Sequence, residues 1–222
     1  MVYYGLGFLA FIITIIAQVF VKSSYNKYKK IGNNKDLTGF EIATKVLEAN
    51  GINDLYVLET KGELTDHYDP TKKVIRLSND IFNGKTIAAA SVAAHEAGHA
   101  IQYKEGNKLI KIRSAIFPLV NFSSQIGYLV ITIGLIFGMI QLFYVGIALL
   151  CVILAFQLLT LPVEIDASKK ALENLQKLEL LNNDENDGAK AMLKAAAFTY
   201  VASLATTILE IVRLLLLARD RD

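Results

Sequence analysis

The chain has 222 residues, of which 53% are apolar and 20% charged, with a net charge of +2, and its mean hydropathy is +0.39. This mixture predicts a membrane protein with a substantial aqueous part; the small net charge, with no basic stripe interleaved with aromatics, excludes nucleic acid as a partner. A lone cysteine, Cys151, excludes a disulfide framework and any thiolate metal cluster.

The first predicted element is an apolar stretch over 4–21, close to the roughly 20 residues that a membrane-crossing helix needs. No positive residue precedes its apolar run and no small-x-small cleavage site follows it, so it reads as a retained helix rather than a signal peptide. A polar segment, 22–114, comes next. In it Thr38 and Glu41 have the spacing of a capping box, Ala43, Val46 and Leu47 share one face of the helix that follows, and Asn50-Gly51 ends it. Three short β-prone runs, 55–58, 64–68 and 74–77, are separated by turns at Gly62 and Asp69-Pro70, which predicts a small antiparallel sheet. From 86 to 104 the chain is nearly unbroken helix former and apolar almost all round, so this helix is expected to be buried.

Two further spans, 117–137 and 139–161, form a tight hairpin with no charge in its link. A second polar segment, 162–194, opens on Pro162, a residue suited to a first helical turn. Ala167, Ala171, Leu172, Leu175 and Leu178 then fall at helical spacing, and 182–188 reads as a polar loop. A fourth span covers 195–217. Glu210 and Arg213 lie inside it, three residues apart on one face; either this helix ends early or packs them inward, or they form a polar feature of the site. Lys and Arg flank the spans on the side of both polar segments, as at Lys22, Lys27, Lys104, Lys108, Lys169 and Lys190. Positive flanks are cytoplasmic. The expectation is a multi-pass cell-membrane protein with both polar segments in the cytoplasm, although Arg219 and Arg221 run against that orientation.

The chemistry is concentrated in the buried helix. His95-Glu96-Ala97-Gly98-His99 places two histidines four apart on one face, where they can bind one Zn²⁺, with Glu96 beside them as general base for a zinc-activated water. All three residues interrupt an otherwise apolar helix, and burying such groups is costly unless they are engaged. A third ligand is needed to leave the fourth position to water. Glu164 is the best placed, directly after the third span, and Asp166 is its rival.

The motif His-Glu-Ala-Gly-His-Ala-Ile-Gln, with Leu64-Thr-Asp-His-Tyr-Asp-Pro before it and Leu161-Pro-Val-Glu-Ile-Asp-Ala-Ser after it, resembles the neutral zinc metallopeptidases of bacterial membranes. These are similar to the membrane gluzincins of the heat-shock and CAAX-processing type. The likeness extends to Lys194-Ala-Ala-Ala-Phe-Thr-Tyr-Val-Ala and covers nearly the whole chain. It implies His95, His99 and Glu164 as ligands and Glu96 as base. Related gluzincins often carry an acid four residues after the ligand Glu, where it orients the first histidine; here Ser168 stands at that position, which leaves Asp166 or another group for the supporting role. His67 and Tyr200 are candidate oxyanion donors. The strand before the zinc helix holds extended substrate in such enzymes, which places Asp66, His67 and Tyr68 at the substrate.

The predicted architecture is therefore a mainly α integral membrane protein: four transmembrane helices and a small α+β gluzincin-like domain of short sheet, HExxH helix and Glu-ligand helix. Its predicted function is zinc-dependent hydrolysis of membrane-associated or misfolded polypeptides, with the lipid bilayer as its other partner. A zinc-binding membrane scaffold without turnover is the alternative, and retention of Glu96 speaks against it. A transporter would call for paired broken helices, which the four spans lack.

Overall fold

The computed structural model describes residues 2–219, and they are mainly helical. In chain order the elements are α1 (Val2–Tyr28), α2 (Gly39–Ala49), β1 (Tyr56–Thr60), β2 (His67–Asp69), β3 (Val74–Ser78), α3 (Asn79–Phe82), α4 (Ile87–Lys104), α5 (Lys108–Phe137), α6 (Ile140–Lys177) and α7 (Asn183–Arg219). They fall into two compact units, one of residues 2–19, 111–162 and 198–219 and the other of 20–110 and 163–197.

The helices α1, α5, α6 and α7 are long and apolar enough to cross a membrane, and the predicted spans fall on them, except that Met139, the first residue of the third, stands in the link before α6. Their large apolar side chains point outward, among them Phe8, Phe11, Phe117, Phe122, Leu129 and Val212. Such a surface is inverted relative to a soluble protein and calls for lipid. The first unit has its own small core, around Ile131, Phe143, Ile147, Leu150, Ile211 and Leu214. Gly134 and Gly146 make the α5–α6 hairpin close: a Cβ on Gly134 would lie 2.6 Å from the Phe143 nitrogen. Gly138, at φ +66°, turns the chain between the two helices. α7 does not stop short at its charges. Arg213 pairs bidentately with Glu210, Nε to Oε2 at 2.8 Å, and Gly7 of α1 leaves room for its stem. The pair thus cancels its own charge within the helix bundle.

The second unit is built on a conventional core. The Thr38–Glu41 box caps α2: the Glu41 amide donates to Thr38 Oγ1 at 3.2 Å, and the Thr38 amide to Glu41 Oε2 at 2.8 Å. Ile42, Ala43, Val46 and Leu47 of α2 pack with Ile75 and Leu77 of β3 and with the alanines of α4.

Three expectations are corrected. The sheet is mixed rather than antiparallel, in the order β1-β3-β2: β2 pairs antiparallel with β3, but β1 runs parallel to it. The Gly62 turn is no hairpin. The backbone enters the left-handed region at Gly62 and again at Leu64, and residues 61–66 lead the chain to the far side of β3. Consequently only His67 and Tyr68 of the expected run 64–68 are in strand. Pro162 does not open a helix; it lies inside α6, where a missing amide costs one hydrogen bond that 38 residues of otherwise regular helix absorb. The stretch 182–188 is not a loop. Asn182 caps α7 with Glu185 in a reciprocal box, each backbone amide donating to the other's side chain at 2.8–2.9 Å.

α4 and α6 meet without intervening side chains. A Cβ on Gly98 would lie 2.6 Å from the Ala167 carbonyl oxygen, and Ala93, Ala94 and Ala97 on α4 and Ala167 and Ala171 on α6 are wholly buried. Gly98→Ala must push the two backbones apart, an overpacking cost of about 1–3 kcal/mol. Thermal unfolding in detergent should show a melting point lower by several degrees; an unchanged melting point would mean the helices have room to spare.

Candidate metal centre

The α4–α6 contact decides what faces what. His95 and His99 lie one turn apart on α4, and Glu164 sits just before Ala167 on α6. Where the backbones touch at Gly98 and Ala167, these three side chains converge. His95 Nε2 is 3.1 Å and His99 Nε2 3.5 Å from the same oxygen, Glu164 Oε2. One ligand atom from each of the three lies within 4.8 Å of the other two.

The outer nitrogens of both rings are occupied. His95 Nδ1 is 3.2 Å from the Ser168 hydroxyl, and His99 Nδ1 is 3.0 Å from Gln102 Oε1. Gln102 in turn donates from Nε2 to the Val163 carbonyl and to Asp166 Oδ2, both at 2.8 Å. The two Nε2 atoms therefore face inward together. Glu164 is 2% exposed, His99 6% and Glu96 7%. Burial alone would raise the Glu164 carboxyl, but hydrogen bonds from His95 and His99, together with their positive charge when protonated, hold it well below the usual carboxylate range. It is a carboxylate at any physiological pH.

This donor set fits zinc. An ion with ligand bonds of about 2.0–2.2 Å in tetrahedral array holds its ligand atoms roughly 3.4 Å apart, the scale of the 3.1 and 3.5 Å separations here. Two imidazoles and one carboxylate make three ligands, which leaves one position open. Glu96, adjacent to His95 on α4 and buried, is the remaining acid of the motif.

The other predicted residues fall at varying places. Asp166 does not join the three ligand atoms; its carboxylate acts through Gln102. Ser168, where an acid was the expectation, itself approaches the first histidine. The Asp66 carboxylate accepts from the Ser78 amide at 2.7 Å and from its hydroxyl, which ties the loop before β2 to the end of β3. Burial raises the Asp66 carboxyl and the Ser78 hydrogen bonds oppose that rise. His67 is exposed, with Nδ1 at 2.7 Å from the Thr65 carbonyl oxygen, to which it donates. Tyr68 packs edge-on against Tyr103 of α4, ring centroids 6.1 Å apart, and burial pushes its phenol up to about 12. Tyr200 lies on α7 in the other unit.

Gln102 was not singled out as a site residue. Its signal was present: a glutamine one turn after the second histidine, on a helix otherwise apolar to that point, needs partners of its own.

The profile of the family described as "Putative neutral zinc metallopeptidase" matches residues 3–219. A protein of Bacillus subtilis (strain 168) called "Putative membrane protease YugP" is 41% identical over 201 residues, 90% of this chain and 89% of that one. No solved structure matches.

Purified protein should carry about one zinc per chain by elemental analysis, from a count of two histidines and one carboxylate. His99→Ala should lose it. A variant that keeps stoichiometric zinc would move the centre elsewhere.

Proposed function

The chain belongs to the neutral zinc metallopeptidase family, and from that premise we propose that it is a membrane-embedded, zinc-dependent endopeptidase acting on membrane-associated or misfolded polypeptides. The observation that carries this reading is the convergence of two imidazole Nε2 atoms on one buried carboxylate oxygen, with Glu96 buried beside the first of them. A structural zinc site closes its coordination with a fourth protein ligand and has no use for a base. Three ligands and an adjacent acid speak for turnover over a scaffold.

When bound, zinc supplies a Lewis acid that polarises the scissile carbonyl and makes water acidic enough to attack at neutral pH. The chain's own residues do the rest. Glu96 takes the proton of the attacking water and returns it to the leaving amine. The buried walls of α4 and α6 limit access of bulk water, which strengthens every charge interaction inside. His67 remains a candidate for stabilising the negative oxygen of the tetrahedral intermediate.

For the substrate, β2 is one of the two edge strands of the sheet, and an extended peptide can add to such an edge through main-chain hydrogen bonds. His67 and Tyr68 are the edge residues in question, while Asp66 shapes the loop that leads into them. Glu164 stands three residues beyond Leu161, the last residue of the predicted third span, a rise of about 4.5 Å along one helix. A reaction centre at that depth favours juxtamembrane segments. The excess of Lys and Arg around residues 22–35, 104–113 and 169–194 supports a centre on the cytoplasmic side.

Glu96→Gln should retain zinc and fold while hydrolysis of an unstructured polypeptide falls by about 10²–10⁴; wild-type turnover would remove Glu96 from the mechanism. Glu164→Ala should weaken zinc binding well beyond Asp166→Ala, and the reverse order would make Asp166 the ligand. For orientation, Asp187→Cys in a Cys151→Ser background should react with an impermeant thiol reagent only in opened cells. Labelling of intact cells would reverse the topology.

A further inference from the structure

We propose that Gln102 is the positioning residue that fixes which nitrogen of His99 is presented to the metal, a role that rests on the zinc reading above. Gln102 is completely buried, so each end of its carboxamide must find a partner. Nε2 lies 2.8 Å from the Val163 carbonyl oxygen and 2.8 Å from Asp166 Oδ2. A carbonyl and a carboxylate accept and cannot donate. That settles the amide: its NH₂ end faces α6 and its oxygen faces His99. The oxygen, 3.0 Å from His99 Nδ1, can only accept there. In the neutral imidazole Nδ1 must then carry the proton, and Nε2 is left bare on the side of Glu164. The other tautomer would oppose two lone pairs at 3.0 Å and place an N–H where a ligand lone pair is required.

The same side chain does a second task. Val163 immediately precedes Glu164, so one carboxamide grips both the imidazole ligand and the backbone that bears the carboxylate ligand. His95 Nδ1 meets a hydroxyl rather than an amide. Ser168 can donate or accept, so it leaves the choice of nitrogen open.

The full chain in detergent, titrated with Zn²⁺ against a chromophoric chelator and examined optically with Co²⁺ in place of zinc, tests this. Gln102→Glu keeps shape and volume but sets a carboxylate against the Val163 carbonyl and the Asp166 carboxylate. Zn²⁺ affinity should fall about 10- to 100-fold, and the visible Co²⁺ bands should change. Adding Asp166→Asn restores a donor facing residue 102 and should recover part of the loss. A residue that only fills space would show neither effect: wild-type affinity in Gln102→Glu, or no recovery in the double variant, overturns the assignment. Should Gln102→Glu fail to fold, Asp166→Leu removes the anchor of the amide without touching α4. It should lower Zn²⁺ affinity several-fold, and wild-type affinity there overturns the assignment equally. Wild-type protein that binds no Zn²⁺ removes the zinc reading and this role with it; zinc-binding wild type with an unaffected Gln102→Glu removes the role of Gln102 alone.

Discussion

The contact of α4 with α6 at Gly98 and Ala167 is the constraint from which the rest of the site follows. Backbones that approach until a Cβ would stand 2.6 Å from a carbonyl oxygen bring short side chains from both helices within reach of one point. A glutamate has about the reach to meet two histidines across such a seam and little to spare. With leucine-sized residues between the helices, at the usual separation of about 8–10 Å, Glu164 would fall short of His95 and His99. The run of alanines on α4 serves this approach rather than helix propensity alone, and it explains why the most buried helix of the unit has the smallest side chains.

Close approach has a consequence for solvation. Glu96, His99, Gln102 and Glu164 are each less than 9% exposed, and water cannot satisfy them there. In the structure His99, Gln102 and Glu164 are linked along a chain that runs from Asp166 through Gln102 to His99 and Glu164, with His95 and Ser168 as a second branch. Every described link in that chain is an acceptor matched to a donor, except at the inner face, where two Nε2 atoms and a carboxylate oxygen aim at a common point. Three acceptor lone pairs pointing together are unfavourable in the neutral-histidine state unless a cation lies among them. With both histidines protonated the cluster is satisfied by Glu164 alone, which is why that carboxyl is held so low. A metal ion held there would compete with protons for the same nitrogens.

What could be read from residues alone was whatever depends on composition or on short fixed spacings. Hydropathy located the four long helices, the Thr38–Glu41 box was legible as a pattern, and two histidines four apart on an apolar helix pointed to the group that, with Glu164, could hold a metal. Asn182 and Glu185 form a box of the same kind, yet in the sequence they read as loop because polar residues cluster after them and no apolar run begins until 195. Pro162 reads as a helix start because a proline is tolerated there; inside a 38-residue helix the loss of one hydrogen bond decides nothing. The parallel pairing of β1 with β3 depends on the path of residues 61–66, including a left-handed Leu64 that no propensity foretells. The partners of the imidazoles needed the tertiary contact itself, since Gln102 and Asp166 meet across 64 residues of sequence.

The two supporting branches differ in electrical character, and that difference bears on what the site can do. Ser168 offers His95 a neutral hydroxyl where the resemblance led one to expect an acid. An acid at that position would give the first imidazole imidazolate character and lower the effective charge of a bound cation. The carboxylate in the support of His99, Asp166, is separated from it by a neutral amide. The Nδ1 atoms of both histidines thus meet neutral groups, and Glu164 is the one formal negative charge among the three candidate ligands. A divalent cation held by such a set keeps a net positive charge, in a pocket with little water to screen it. Positive charge retained at the metal is what makes a water molecule acidic and a carbonyl electrophilic. The arrangement of hydroxyl and amide around the histidines therefore favours an active centre over a merely structural one, and it does so through residues outside the motif that first points to zinc.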